Sequence, residues 1–248
     1  MSRLARTFTI ALALTAMPLA AQDTEEREPT NAAQVTVYGW MAGATGEFRP
    51  FDGAPTIGFD NSFDEVLEDL DAAFFANALI RRDRFVATAD VSYAALSRDG
   101  RVPPGVPASG KISQLAITGL AGVRVKDSDT ISIDLLSGAR LWNLDGLVSA
   151  PLVGVSAAPG KTFVDPVVAT RINTPVAPRL SALIQADIGG FGLGSDFTYQ
   201  VTGTLNYRAS DRFFVSAGWR HLHLDYATGG TRFEGSQTGP LLGITHRF

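Results

Sequence analysis

Two groups of residues in this sequence have the types and spacing to do chemistry. The first is His221-Leu-His-Leu-Asp225. In an extended chain alternate residues share a face, so two imidazoles and a carboxylate line up. Such a row suits acid–base work or metal binding. The second is a dispersed set of charges: Asp90, Asp134, Asp165 and Asp187 with Arg124, Arg140, Arg171, Arg208 and Arg220. Each falls in the polar phase of a segment that alternates apolar and polar. If that phase lines a narrow, partly dry interior, opposite charges must pair, because an unpaired one is costly. Paired, they fill the interior and fix strand register; left in water, they set the selectivity of a pore.

A third segment, Asn61-Ser-Phe-Asp-Glu-Val-Leu-Glu-Asp-Leu-Asp71, reads as a short amphipathic helix. Ser62 and Glu65 form a capping box. Phe63, Val66, Leu67 and Leu70 follow the i, i+3, i+4, i+7 spacing of one helical face. The remaining face is acidic, and like charges three and four apart repel. The helix therefore needs a partner, and the expectation is that it crosses the mouth of the interior and meets the arginines there. Its acidic spacing is not that of an EF-hand loop, so no metal is assigned. Gly189-Gly-Phe-Gly-Leu-Gly194 has the glycines of a phosphate loop but no following Lys-Ser/Thr or helix, and reads as a hairpin. No cofactor is called for.

The elements that carry these residues are strands. Residues 197–208 are the clearest: Phe197, Tyr199, Val201, Leu205 and Tyr207 alternate with Thr198, Gln200, Thr202, Thr204, Asn206 and Arg208. The same pattern recurs along 34–46, 74–82, 85–95, 113–125, 131–142, 163–173, 180–188, 213–220 and 238–248. About ten strands of roughly 10–14 residues result, long enough to cross a bilayer when tilted; eight is the alternative count. Short turns near residues 83, 127, 176 and 210 alternate with longer or Gly-rich connections. Aromatics fall near strand ends: Tyr38, Trp40, Phe85, Tyr93, Trp142, Phe197, Tyr207, Phe213, Trp219 and Phe248.

Composition agrees. Of 248 residues 45% are hydrophobic and only 19% charged, below the roughly 25% of an ordinary soluble domain. Beyond the N-terminus no apolar run reaches transmembrane-helix length. There is no cysteine, which excludes disulfides and thiolate metal sites. A net charge of -4 without a basic block argues against nucleic acid. Arg3 and Arg6, the apolar stretch 8–17, and small residues before Gln22 form an export signal over 1–21. An acidic, flexible periplasmic lead-in follows over 22–33.

The export signal, the strand alternation and the terminal Phe248 together resemble the small outer-membrane β-barrel proteins of Gram-negative bacteria, of the OmpA/OmpW type, over residues 34–248. That resemblance implies an all-β, antiparallel up-and-down transmembrane β-barrel in the cell outer membrane, with a short amphipathic helix in its first outer loop. It implies contact with outer-membrane lipid and lipopolysaccharide, and reading of the last strand, ending on Phe248, by the barrel-assembly machinery. The expected role is structural or surface-interaction, with a lumen largely filled by ion pairs and no enzymatic activity. The alternatives are a narrow passive pore for small solutes and an outer-membrane hydrolase. The His221–His223–Asp225 row is similar in composition to the outer edge of ten-stranded outer-membrane proteases, but it shares the outward parity of Trp219 and lacks their paired aspartates.

Overall fold

The computed structural model describes residues 31–49, 51–53, 55–102, 106–150, 155–158 and 160–248. The expected export signal and residues 22–30 of the expected lead-in lie outside them. Residues 31–33 are not lead-in but open the first strand, β1 (Asn31–Trp40). The chain then forms β2 (Gly43–Arg49), β3 (Ile57–Asn61), α1 (Phe63–Glu68), β4 (Leu70–Arg82), β5 (Phe85–Val102), β6 (Val106–Asp127) and β7 (Ser132–Ala150). It continues through β8 (Val155–Ala157), β9 (Gly160–Ala177), β10 (Leu180–Gly190), β11 (Phe197–Arg208), β12 (Phe213–Thr228) and β13 (Thr231–Arg247).

Ten strands close into an antiparallel ring in the order β1-β4-β5-β6-β7-β9-β10-β11-β12-β13, with β13 returning to β1. The seam pairs Gln34 with Arg247, Val37 with Ile244 and Trp40 with Leu241. β2 continues β1 along the same edge of β13, from Gly43 opposite Thr238. The ladder lapses at Met41 and Ala42 because they face Gly239 and Pro240, and proline has no N–H to donate. Met41 still donates its own N–H to the Pro240 carbonyl at 2.9 Å. β3 adds to β2 and β8 to β7, both outside the ring.

One end of the barrel carries tight turns. Asp83 and Arg179 take left-handed backbone, φ 52° and 67°, in the two-residue turns 83–84 and 178–179. The turn expected near 176 lies slightly later, because β9 runs on to Ala177. At the other end Gly229 and Gly230, both at positive φ, make the β12–β13 hairpin that only glycine-like residues allow. Strand lengths differ around the ring: β6 has 22 residues, β10 only 11. The wall is therefore tall at β5–β7 and at β12–β13, and low at β10–β11.

Outward positions are apolar and exposed, among them Val35, Val37, Ile80, Val123, Leu135, Ile184, Leu205, Ile244 and Leu242. Inward positions are polar or tightly packed. A water-soluble barrel would reverse this, so the outer solvent is lipid. Two aromatic levels bound the belt. Phe85, Tyr207, Phe213 and Phe248 lie at the short-turn end. Phe74, Tyr93, Tyr199 and Trp219 lie about eight residues up the tilted strands, about 20 Å away. The expected girdle is corrected at three positions. Tyr38, Trp40 and Trp142 point into the lumen, and Trp40 and Trp142 are buried there at 7% and 1% exposure.

Candidate functional site: the lumen

The lumen is stacked in layers, and each layer comes from inward positions on several strands. Nearest the short turns, Asp134 of β7 accepts from Arg124 Nε of β6 at 2.7 Å and from Arg171 Nη1 of β9 at 3.2 Å. Arg124 also reaches Asp127 at 3.4 Å, and Arg81 of β4 donates to Asp127 at 2.7 Å. One buried carboxylate thus serves two guanidiniums, and Asp127, at the end of β6, pairs with Arg81 and Arg124.

Beside this cluster lies a polar cavity of about 150 Å³. Thr36, Asn77, Gln185, Thr202, Asn206 and Ser216 line it with neutral hydrogen-bonding groups, and Arg171, Arg247, Asp90 and Arg220 border it. Its roof is a bonded group of four side chains. Tyr38 donates its hydroxyl to Asp90 Oδ2 at 3.0 Å, and Arg220 donates to the Tyr38 oxygen. Arg220 Nη2 reaches Gln200 Oε1 at 2.6 Å and Asp90 Oδ1 at 3.4 Å. At the same height Arg140 donates to Asp187 at 2.8 Å and to Thr118 at 2.8 Å.

Asp165 differs from the other lumen carboxylates. Its three donors are Trp142 Nε1 at 2.9 Å, the Ser195 amide at 2.6 Å and the Ser195 hydroxyl at 2.8 Å. Neutral donors, not an arginine, satisfy it. Ser195 belongs to the 191–196 hairpin loop, so this carboxylate ties the lowest rim of the barrel to the interior. Arg208, expected among the ion pairs, lies half-buried at the short-turn end, where its backbone N–H donates to the Arg179 carbonyl at 2.8 Å.

Above the charges the lumen becomes apolar. Trp40, Ala116, Trp142, Leu222, Leu224 and Leu241 form one buried cluster, packed round by Tyr38, Phe75, Phe163 and Phe233. The Arg220 guanidinium carbon lies 4.6 Å over the Trp40 ring, where charged layer meets aromatic layer. Phe163 stacks between Trp142, at 6.3 Å, and Tyr226, at 4.5 Å. Higher still, Gln114 of β6 and Gln237 of β13 exchange amide hydrogen bonds of 3.1 and 3.3 Å across the bore.

The remaining expected sites lie outside this stack. In α1 the capping box of Ser62 and Glu65 is present, with Ser62 N–H donating to Glu65 Oε2 at 2.8 Å. These hydrogen bonds hold the Glu65 carboxyl below its ordinary pKa. The helix includes Phe63, Val66 and Leu67, but Leu70 begins β4 instead of completing the apolar face. The helix does not meet the lumen arginines. It buries no residue, and the neighbouring Asp69 pairs with Arg98 on the exposed upper part of β5 at 2.6 Å. A surface arginine close in space removes the need to reach the bore. His221, His223 and Asp225 face outward. His221 Nε2 bonds the Tyr199 hydroxyl at 3.0 Å, and His223 Nδ1 bonds Ser236 Oγ at 2.9 Å. Among the described residues no group of three or more His, Cys, Asp or Glu is placed to hold a metal.

Tyr38, Trp142, Ser195 and Gln200, which complete the buried bonding, were not singled out in the sequence as partners of these charges. Strand parity was the available signal: Tyr38 and Trp40 share the phase of Thr36 and Gln34, so an inward assignment was open to them.

Comparison with known proteins places this architecture. No family model matches the sequence, and no curated protein does. Solved structures do. The outer-membrane protease OmpT of Escherichia coli superimposes with a TM-score of 0.52 at 9% identity, over 92% of this chain and 100% of that one. The translocator domain of the autotransporter NalP from Neisseria meningitidis gives 0.49 at 12% identity, over 89% and 90% of the two chains. Ail of Yersinia pestis gives 0.41 at 11% identity, over 89% and 100%. At 9% identity the likeness to OmpT is one of fold. This chain has the fold of the Gram-negative outer-membrane β-barrels, built as a closed ring of ten strands.

Proposed function

We propose that this protein is a closed outer-membrane barrel with a structural or surface-interaction role, and not an enzyme or an open pore. The observation that carries this reading is the change of lumen character at Arg220 and Trp40. Below it is a polar cavity; above it is a buried layer of tryptophan, leucine and phenylalanine side chains. An ion moving along the bore would have to break the Arg220–Asp90–Tyr38 bonds and then displace packed rings. Each of these steps is costly in a low-dielectric interior. The ion pairs fix the register of the strands that contribute them, and the apolar layer supplies the packing.

A second reading, a gated pore for small solutes, draws support from the cavity, which is half of a passage already formed. The hydrolase reading has little. Its two histidines point to the lipid side and are bonded to Tyr199 and Ser236. On the proposed reading, outer-membrane lipid and lipopolysaccharide cover the apolar belt. On the same reading the last strand, β13, is the segment read by the barrel-assembly machinery. Solute efflux from proteoliposomes tests the choice. A closed barrel leaves the release rate of a small sugar at that of protein-free vesicles, whereas a pore empties them.

A further inference from the structure

The ring is not closed to its full height. β1 pairs with β4 from Asn31 opposite Arg82 up to Val37 opposite Ala76, and there the ladder stops. Above it, β4 bonds only β5, while the far edge of β2 is taken by β3. Among the described residues no backbone hydrogen bond joins residues 39–42 to 71–75. The exposure pattern agrees. Along the lower part of β4 buried and exposed positions alternate, but residues 71–74 are exposed at all four consecutive positions.

This seam lies at membrane height. Met41 is opposite Pro240, which pairs with Trp219, and Trp219 is the exposed outward indole of the outer aromatic level. Phe74, on the edge itself, is 52% exposed. Unpaired strand edges are costly in hydrocarbon and persist only where something satisfies or covers them. On the lumen side the cover is Phe75, stacked on Tyr38 at 5.5 Å and edge-on to Trp40 at 6.1 Å. Trp40 supplies a second observation. Its side chain is buried, yet its Nε1–H has no hydrogen-bond partner. A buried indole N–H normally finds an acceptor.

We propose that the seam between residues 39–41 and 72–74 is a binding site for an outer-leaflet lipid, which lays one acyl chain along Phe74, Phe75, Ala72 and Met41. The level of Trp219 is that of the ester linkages, so an ester oxygen is the acceptor for the unpaired edge N–H groups, while the acyl chain lies against Phe75, which separates it from the Trp40 indole. Lipid is the occupant because the seam faces the bilayer and its lining is aromatic and small apolar. The chain completes the apolar layer of the lumen from the side and leaves the bore closed to water.

Two measurements on the refolded protein in vesicles test this, neither of which reads conductance. The sequence has three Trp and no Cys, so both are free of background. In the first, Trp142→Phe/Trp219→Phe leaves Trp40 as the sole emitter, and the vesicles contain phosphatidylcholine brominated on its acyl chains. The expected result is loss of Trp40 emission comparable to that of lipid-facing Trp219 in Trp40→Phe/Trp142→Phe. Unquenched Trp40 beside quenched Trp219 overturns the proposal. Should Trp142→Phe prevent folding, the same difference is read between Trp219→Phe and Trp40→Phe/Trp219→Phe. In the second, Val37→Cys/Ala76→Cys, a paired position, oxidises to a disulfide. Gly39→Cys/Phe74→Cys, the next pair if the ladder continued, does not, because an open seam holds the two apart. Equal oxidation of both pairs shows a closed wall and overturns the proposal.

Discussion

Arg220 lies with its guanidinium carbon 4.6 Å above the ring of Trp40 while its Nη2 bonds Gln200 at 2.6 Å on the other side. The residue belongs to both halves of the lumen: its charge is satisfied from the polar cavity, and its flat face caps the aromatic layer. Removing it should therefore act on stability and permeability together. Arg220→Ala leaves Asp90 with the Tyr38 hydroxyl but no cation, and leaves the Tyr38 oxygen and Gln200 Oε1 without their donor; loss of one partner of a buried pair costs about 3–5 kcal/mol. Urea unfolding in lipid vesicles measures this. Asp90→Asn/Arg220→Gln, which removes both charges, should recover part of the loss.

Asp134 holds Arg124 and Arg171 together from two neighbouring strands. Asp134→Ala should destabilise the barrel by about 3–5 kcal/mol, since it leaves buried guanidinium charge uncompensated. Asp134→Leu with Arg124→Leu should cost less, because packed apolar side chains replace the closest buried pair at little net penalty and the remaining Arg171 borders the polar cavity. Unfolding midpoints of the variants order the three proteins.

Ser195 donates both its amide and its hydroxyl to Asp165. Ser195→Ala removes the hydroxyl bond alone, and because Asp165 Oδ2 keeps its bond from Trp142 the cost is that of one hydrogen bond to a charged group, about 1.5–3 kcal/mol. The effect should be local. Protease cleavage within 190–196 should accelerate while the global unfolding midpoint moves little.

The α1 capping box gives a pH dependence of known sign. Glu65 has its carboxyl pKa lowered from 4.5 by hydrogen bonds from Ser62. A group with a depressed folded pKa contributes stability above its unfolded value and loses it as pH falls through the folded value. Protection of the amides of residues 62–68, taken relative to the intrinsic exchange rate at each pH, should be highest at neutral pH and fall on acidification below about pH 4.5, with that of the barrel strands unchanged. Glu65→Gln should flatten the profile.

The barrel was legible in the sequence because strand parity survives in lipid as it does in water. Phe197 to Arg208 reads correctly residue by residue, outward and inward. Parity also put Asp134, Arg124, Arg140, Asp187 and Arg220 on the inner face. Partners were not legible, because they join strands far apart in the chain: Arg220 and Tyr38 are 182 residues apart, and Gln114 and Gln237 are 123 apart. Composition misled at Tyr38, Trp40 and Trp142. Aromatics near strand ends suggest membrane girdles, but these three have inward parity, and a bore this narrow needs large side chains to fill it. The helix was placed correctly and its partner was not, since Arg98 answers Asp69 from the adjacent strand end. The seam above Val37 and Ala76 was invisible, because nothing in the residues 70–75 distinguishes a paired edge from an open one.

The claim that the lumen is closed is tested most directly by single-channel recording of the unmodified protein in planar bilayers. The layered lumen predicts no stable conductance above the bare bilayer over moderate voltages, with current appearing in Trp40→Ala/Leu222→Ala, which thins the apolar layer. A steady, long-lived open level in the unmodified protein would contradict it.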